Sequence, residues 1–421
     1  MTFVEFFDET SVDNLYSCLT TVPDRVVLLG CNGNLMEKYA AIYKGIFLDR
    51  GFDVDFVCRS LPKNNMEGIL ERLVEILETY DDCYFDATGG DDIYLVALGI
   101  LSQKYPEKNV QIHRYNVTNG AVTDCDLDGN VVEAQYMAGL TVDECIRANG
   151  ARVVYDDEKP GTTYRWNITE QFMWDIASAW EICKENPSRW NDTVSTFALI
   201  DSKRDETLED NVVVASTEEV KDYCASKKKQ FGIDTVFVQK ISNAGLLRYY
   251  EFTDERIVLE FKSADVRRLL TMAGRTLEMK IFMECLILAD KKGEYIYDDV
   301  VNGVYIDWDG RVNSVAGPEG YYVDAENEID VVLMHGIIPV FISCKNGNVE
   351  KDEPYKLSVV ASKFGGKYAK KVLITSEDDE YEAREASYRQ RYKEMGIVHI
   401  GPVSKMDDET LRKQLSTLWS R

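Results

Sequence analysis

The residues best suited to chemistry stand in one short stretch, NEIDVVLMHGIIPVFISCKNG, residues 327–347. Two apolar runs read as strands of a hairpin; Asp330 lies in the first, Ser343 and Lys345 in the second. Side chains in a strand alternate between faces. Val340, Ile342 and Cys344 therefore share one face, and Phe341, Ser343 and Lys345 the other. In the first run Ile329, Val331 and Leu333 face one way, Glu328 and Asp330 the opposite way. Pairing the two runs brings Asp330 beside Ser343 and Lys345. A carboxylate next to an amine suits phosphodiester hydrolysis: the acid holds a divalent cation that activates water, and the amine stabilises charge on the pentavalent phosphorus. Hard cations want oxygen ligands, so a second acid is needed. Glu278, in GRTLEMKIF on a helix ahead of the hairpin, is the candidate. The plain alternative is a surface ion pair, worth about 0–1 kcal/mol; three polar positions on one face, with Glu278 upstream, favour catalysis. Lys356 reads as a solvated helix lysine and His335 as a turn residue at the hairpin tip.

These residues need a scaffold. Residues 265–289 are expected to form one long helix, followed by a strand in DDVVNGVYIDWDG and then the hairpin. EPYKLSVVASKF reads as a helix ended by Gly365-Gly366, KKVLIT as a strand, YEAREASYRQRYKEMG as a helix and IVHIG as a strand. Residues 265–421 thus form an α-β-β-β-α-β unit. Residues 1–150 alternate strands (RVVLLGC, FDVDFVC, CYFDATGG, VQIHRYNV) with helices, which argues for a doubly wound parallel sheet. Ligands of such sheets sit at the carboxyl ends of the strands. Two loops fall there, Asn32-Gly33-Asn34 and Thr88-Gly89-Gly90-Asp91. The N–H groups of Gly89 and Gly90 can receive phosphate, and Asp91 suits a helix N-terminus. Residues 151–264 read as a linking module of helices followed by a hairpin over GLLRYYEFTDERIVLEFKS, with Ser216 and Glu219 in capping-box positions. Its order is that of a winged helix. The KKKQ run at 227–230 is read as a solvated helix end.

Length and composition bound the rest. A chain of 421 residues is too long for one ordinary domain. Its net charge of −25 argues against binding polyanions through bulk electrostatics, so nucleic acid must be met by local cations or metal ions; the C-terminal third is the least acidic part. Ten cysteines without a CxxC pair suit reduced thiols in the cytoplasm, and His113, His335 and His399 complete no zinc pattern. No apolar run is long enough to span a membrane, and the acidic N-terminus is unlike a secretory signal.

GRTLEMKIF, NEIDVVL, PVFISCK and YKLSVVASKFGGKYAKKVLIT, in that order, resemble the PD-(D/E)xK nuclease superfamily. With DATGGDD after an N-terminal strand, the whole chain resembles the CRISPR-associated effectors that join a CARF domain, a CRISPR-associated Rossmann fold, to such a nuclease. The resemblance implies an α/β protein: a CARF-like sensor over 1–150, a linking module over 151–264 and a restriction-endonuclease-like domain over 265–421. It implies a homodimer that binds a cyclic oligoadenylate, most often cyclic tetra-adenylate, and cleaves single-stranded RNA or DNA, or nicks DNA, with Mn²⁺ or Mg²⁺. Carried over, Glu278 and Asp330 become metal ligands with the carbonyl of Cys344, and Lys345 the catalytic lysine. Thr88, Gly89, Gly90 and Asp91, then Asn32, Gly33 and Asn34, become ligand-binding residues. Two departures stand out. Ser343 replaces the usual acid two residues before the lysine, which weakens metal affinity unless Glu328 or Glu353 swings in. Asp91-Asp92 places acids beside the expected phosphate. Ser343 leaves open a sensor with a degenerate nuclease domain acting as a binding module, and a ring nuclease that degrades its activator is a third reading.

Overall fold

The computed structural model describes all residues except 9–11, 109, 117–120, 126–130, 137–138, 228–230, 309–325, 348, 378–388 and 421. Lys228–Gln230 of the KKKQ run, and residues 381–388 of the expected late helix, therefore lie outside the described residues.

The first third is a Rossmann-like α/β layer: β1 (Thr2–Phe6), α1 (Asp13–Thr21), β2 (Arg25–Gly30), α2 (Gly33–Asp49), β3 (Asp55–Ser60), α3 (Met66–Thr79), β4 (Cys83–Asp86), α4 (Asp92–Lys104), β5 (Gln111–Asn116), β6 (Ala121–Cys125) and β7 (Val131–Tyr136). The sheet runs β3-β2-β1-β4-β5-β6-β7, parallel through β5 and antiparallel beyond. The middle of its five parallel strands is β1, a strand the sequence reading leaves unassigned. Every residue of TFVEF is buried, so no polar–apolar alternation marks the strand, and Glu5 breaks the apolar run. The chain leaves β1 towards β2 and β3, then returns to its other side at β4. The carboxyl ends of β1 and β4 are thus the topological switch point, where such sheets take ligands.

α5 (Val142–Ala148) and β8 (Arg152–Val154) follow, and then a small unit: α6 (Glu170–Cys183), α7 (Pro187–Asp201), β9 (Val212–Ser216), α8 (Thr217–Ser226), α9 (Thr235–Asn243), β10 (Leu247–Phe252) and β11 (Arg256–Phe261). Its antiparallel sheet runs β10-β11-β9. Ser216 caps α8 through the Glu219 N–H at 3.4 Å. Cations on this unit are matched by acids: Arg189 with Asp234, Lys240 with Glu185, Arg256 with Glu251. That pattern matches a solvated surface better than a polyanion-binding one.

The last part holds α10 (Ala264–Leu270), α11 (Arg275–Ile287), β12 (Asp299–Asp307), β13 (Glu326–His335), β14 (Ile338–Lys345), α12 (Glu353–Gly365), β15 (Lys370–Thr375), β16 (Ile397–Ile400) and α13 (Asp408–Leu415). Its sheet runs β16-β15-β14-β13-β12-β8, so β8, from within residues 151–264, forms one edge. α12 is the crossover between the parallel strands β14 and β15. One apolar layer, with Val340, Ile342 and Cys344, packs on α11 and the middle unit. Phe341, Leu373 and α12 pack on the opposite face, in a core shared with α2 and α5.

Two expectations are corrected. The single helix over 265–289 is two helices: the first ends at Leu270, and Gly274, at φ +87°, turns the chain into the second as its N-cap. Ile329 does not share a core with Val331 and Leu333: it packs with Val304 and Ile306 on the other side. The cause is local. Gly303 has φ +59°, and the β12–β13 register passes from Asn302–Val331 to Val304–Ile329 around Gly303 and Asp330. The bend lets Asp330 leave the alternation and turn towards β14.

Candidate active site and ligand loop

The three residues of the hairpin meet. Val331 pairs with Ile342 at the end of the β13–β14 ladder, and Asp330 and Ser343 lie one step further. Asp330 Oδ2 accepts from the Cys344 N–H at 2.6 Å and from Ser343 Oγ at 3.3 Å, and lies 3.5 Å from Lys345 Nζ. Glu353, the first residue of α12, closes the group: its Oε1 accepts from Ser343 Oγ at 2.7 Å and lies 3.1 Å from Lys345 Nζ. The amine is held between two carboxylates, and Ser343 bridges the same two. Burial alone pushes the Lys345 ammonium towards neutrality, but Asp330 and Glu353 outweigh it and its pKa rises, so the lysine is a fixed cation.

Glu278 comes from the first turn of α11, which the Gly274 turn aims at the sheet. It is buried, and Oε2 makes no hydrogen bond. Burial, then the charge of Asp330, push its carboxyl up to about 8, against the pull of Arg275. Asp330 is raised as well, by burial, with Lys345 and the Cys344 N–H opposing. Arg275, which the sequence reading missed, stands 3.6 Å from Glu278 and 3.9 Å from Glu328, and donates to Asn302 at 3.3 Å. Asn302 in turn donates to the Asp330 carbonyl at 3.0 Å. Only its place three residues ahead of Glu278 on a helix could have marked it. Glu328 stays with Arg275, so of the two acids expected to compensate for Ser343 it is Glu353 that touches the serine.

Among the described residues, no three or more His, Cys, Asp or Glu side chains are gathered tightly enough to hold a metal ion alone. The donor set still fits Mg²⁺ or Mn²⁺. Magnesium usually keeps several waters and takes one or two carboxylates plus substrate phosphate. Glu278 and Asp330 are two buried acids, the charge of Asp330 raises the Glu278 carboxyl, and Glu278 Oε2 makes no hydrogen bond.

Gly274 is tied to this geometry. A Cβ there would lie 3.3 Å from Glu278 Oε1, in a backbone conformation L-residues rarely adopt. Gly274→Ala is expected to cost about 1–3 kcal/mol of stability; parallel thermal melts of the two proteins check this.

The other expected residues sit at the switch point. Thr88, Gly89 and Gly90 are half-buried between β4 and α4, and the Thr88 N–H donates to Asp86 Oδ1 at 2.6 Å. Gly90 has φ +100°, and a Cβ there would lie 2.4 Å from Phe6 Cβ. Asp91 caps α4 by accepting from the Ile93 N–H at 3.2 Å, which explains an acid in this loop. Asn32 caps α2 through the Leu35 N–H at 3.2 Å, followed by Gly33 and exposed Asn34. The two loops flank β1, about two inter-strand spacings, or ~10 Å, apart. Of the remaining candidates, Lys356 is exposed and pairs with Asp352 at 2.9 Å. His335 is a packing residue: its ring stacks on Trp419 at 4.0 Å.

No family model matches the sequence, and no curated protein matches it. Solved structures do. Protein VC1899 from Vibrio cholerae superposes with a TM-score of 0.71 at 15% identity, covering 99% of this chain and 97% of its own. Can2 from Sulfobacillus thermosulfidooxidans, solved in complex with cyclic tetra-adenylate, superposes with a TM-score of 0.65 at 14% identity, covering 100% and 99%. Over essentially its whole length, the chain has the fold of these two proteins.

Proposed function

We propose that the chain is a metal-dependent nuclease of CRISPR-linked antiviral defence, switched on by a cyclic oligoadenylate. The observation that carries this reading is the clamp on Lys345, held by Asp330 and Glu353 beside the buried carboxylate of Glu278, whose Oε2 makes no hydrogen bond and has Arg275 at 3.6 Å. A buried carboxyl raised this far by burial and a neighbouring acid is the kind of group that clusters at functional sites. The likeness to a protein solved with cyclic tetra-adenylate supports the ligand, as do the two loops at the switch point.

In the proposed mechanism Glu278 and Asp330, with the Cys344 carbonyl, hold Mn²⁺ or Mg²⁺. When bound, such an ion polarises a phosphoryl oxygen and makes hydroxide from water at neutral pH. Lys345 keeps its proton and faces the charge that develops on phosphorus. Ser343 fixes the spacing of Asp330 and Glu353. Thr88–Asp91 and Asn32–Asn34 from two copies of the chain enclose the activator, and the substrate is single-stranded RNA or DNA.

Incubation of the protein with Mn²⁺, cyclic tetra-adenylate and labelled single strands tests the reading. Cleavage that needs the activator and stops with a chelator is the expected result. Activator binding with no cleavage under any condition replaces it with the binding-module reading that Ser343 favours. Loss of the activator itself, persisting in Lys345→Ala, replaces it with a ring nuclease.

A further inference from the structure

α12 joins the two sites. Its first residue is Glu353, the partner of Ser343 and Lys345. Its other end is seated on the N-terminal half of the molecule. Asn149 Nδ2 and Cys145 Sγ, at the end of α5, donate to the Phe364 carbonyl at 2.9 and 3.8 Å. Lys367, just past the helix, forms an ion pair with Asp13, whose carboxylate also lies beside Tyr368. Asp13 is buried at the start of α1 and lies against the ligand loop: a Cβ on Gly89 would stand 3.5 Å from Asp13 Cβ. There is no slack where the helix ends, since a Cβ on Gly365 would come within 2.6 Å of Phe341 Cε2. Thirteen helical residues span about 20 Å.

We infer that α12 is the link through which the ligand loop sets the catalytic lysine: Asp13 grips one end through Lys367, beside Tyr368, Glu353 at the other end holds Lys345, and Asp13, Lys367, Tyr368 and Glu353 are positioning residues for hydrolysis. This rests on the function proposed above. The physics is electrostatic and steric. An anionic ligand arriving at Gly89 repels the buried Asp13 carboxylate and attracts Lys367, so it weakens their pair and favours another seat for the helix end. A packed helix moves as a body, so Glu353 shifts against Lys345 and Ser343. The ligand can bias this equilibrium only by binding one seat better than the other.

Lys367→Met is the test, because Lys367 is partly exposed (43%) and its loss is compatible with folding; Tyr368→Phe is the milder second variant. Two quantities are read with Mn²⁺ present: the cleavage rate with saturating cyclic tetra-adenylate over the rate without it, and the activator-induced change in hydrogen exchange of the α12 amides. The activation ratio is expected to fall at least about fivefold, the lower end of ordinary allosteric coupling. The exchange response of α12 should shrink with it, while the activator still binds. Glu353→Gln should lose activated cleavage, and Glu353→Asp should recover part of it. Wild-type activation and exchange response in both Lys367→Met and Tyr368→Phe would overturn the inference while leaving the nuclease reading intact. Complete loss of activator binding in Lys367→Met would also overturn it, by making Lys367 a ligand contact. A wild-type protein that binds the activator, never cleaves and shows no exchange response in α12 would sink both.

Discussion

Lys345→Ala is expected to lower activated cleavage by at least about 10²–10³-fold, the usual cost of removing one charge-stabilising group from a transition state, while leaving affinity for cyclic tetra-adenylate unchanged. The reason lies in the clamp. With Asp330 and Glu353 at 3.5 and 3.1 Å from Nζ, Lys345 is charged throughout the working pH range and cannot serve as a base. Its contribution must therefore appear in the rate of the chemical step rather than in substrate binding or in the alkaline limb of a pH profile. Lys345→Arg keeps the charge but brings a planar fork into a site shaped for a point charge, so it should rescue only a fraction. Single-turnover rates at saturating activator, with calorimetric binding alongside, measure both quantities. An alanine variant cleaving within a few-fold of wild type would remove Lys345 from the chemistry.

Glu278→Gln should move activity and stability in opposite directions. Cleavage is expected to fall by at least about 10²-fold as a metal ligand is lost. In chelator, however, the variant should be the more stable protein above neutral pH. The folded chain raises the Glu278 carboxyl to about 8, from an ordinary value of 4.5, chiefly through burial and then Asp330. The metal-free fold thus binds that proton more tightly than the unfolded chain does. Its stabilising contribution is complete below about pH 4.5 and is lost as pH climbs towards 8. At about 1.4 kcal/mol per unit, the loss is on the order of a few kcal/mol, and glutamine, carrying no charge, avoids it. Mn²⁺ should raise the melting temperature of the wild type, by favouring the charged carboxylate, and should do far less for the variant. Thermal melts from pH 5 to 8, with chelator and with Mn²⁺, decide the matter: parallel curves for the two proteins would show that Glu278 faces no cation.

Much of the site can be read from the hairpin. The period-two pattern of PVFISCK places Ser343 and Lys345 on one face, and the structure keeps Val340, Ile342 and Cys344 together in the opposite core. The same rule failed for Ile329. It assumes an unbroken strand, and Gly303 on the neighbouring strand bends β13 at Asp330. Glu278 was found by residue type and order, but the Gly274 turn that aims it was hidden inside an apolar stretch with helical spacing. Arg275 carries no local signal, because its partners Asn302 and Glu328 are distant in sequence.

The sequence by itself determined the α-β-β-β-α-β order of the last part, the alternating βα pattern of the first third, and the residue types able to hold a cation. These depend on local periodicity and turn chemistry, which neighbouring residues encode. Only the tertiary structure decided that β1 is the middle of the first sheet's parallel strands, that β8 joins the last one, and that Glu353 rather than Glu328 reaches Ser343. It alone showed α12 reaching Lys345 through Glu353 and leading at its other end into Lys367, the partner of the Asp13 beside the glycine loop. Each of these depends on contacts between residues far apart in the chain, closed by burial of apolar faces that no short window of sequence records.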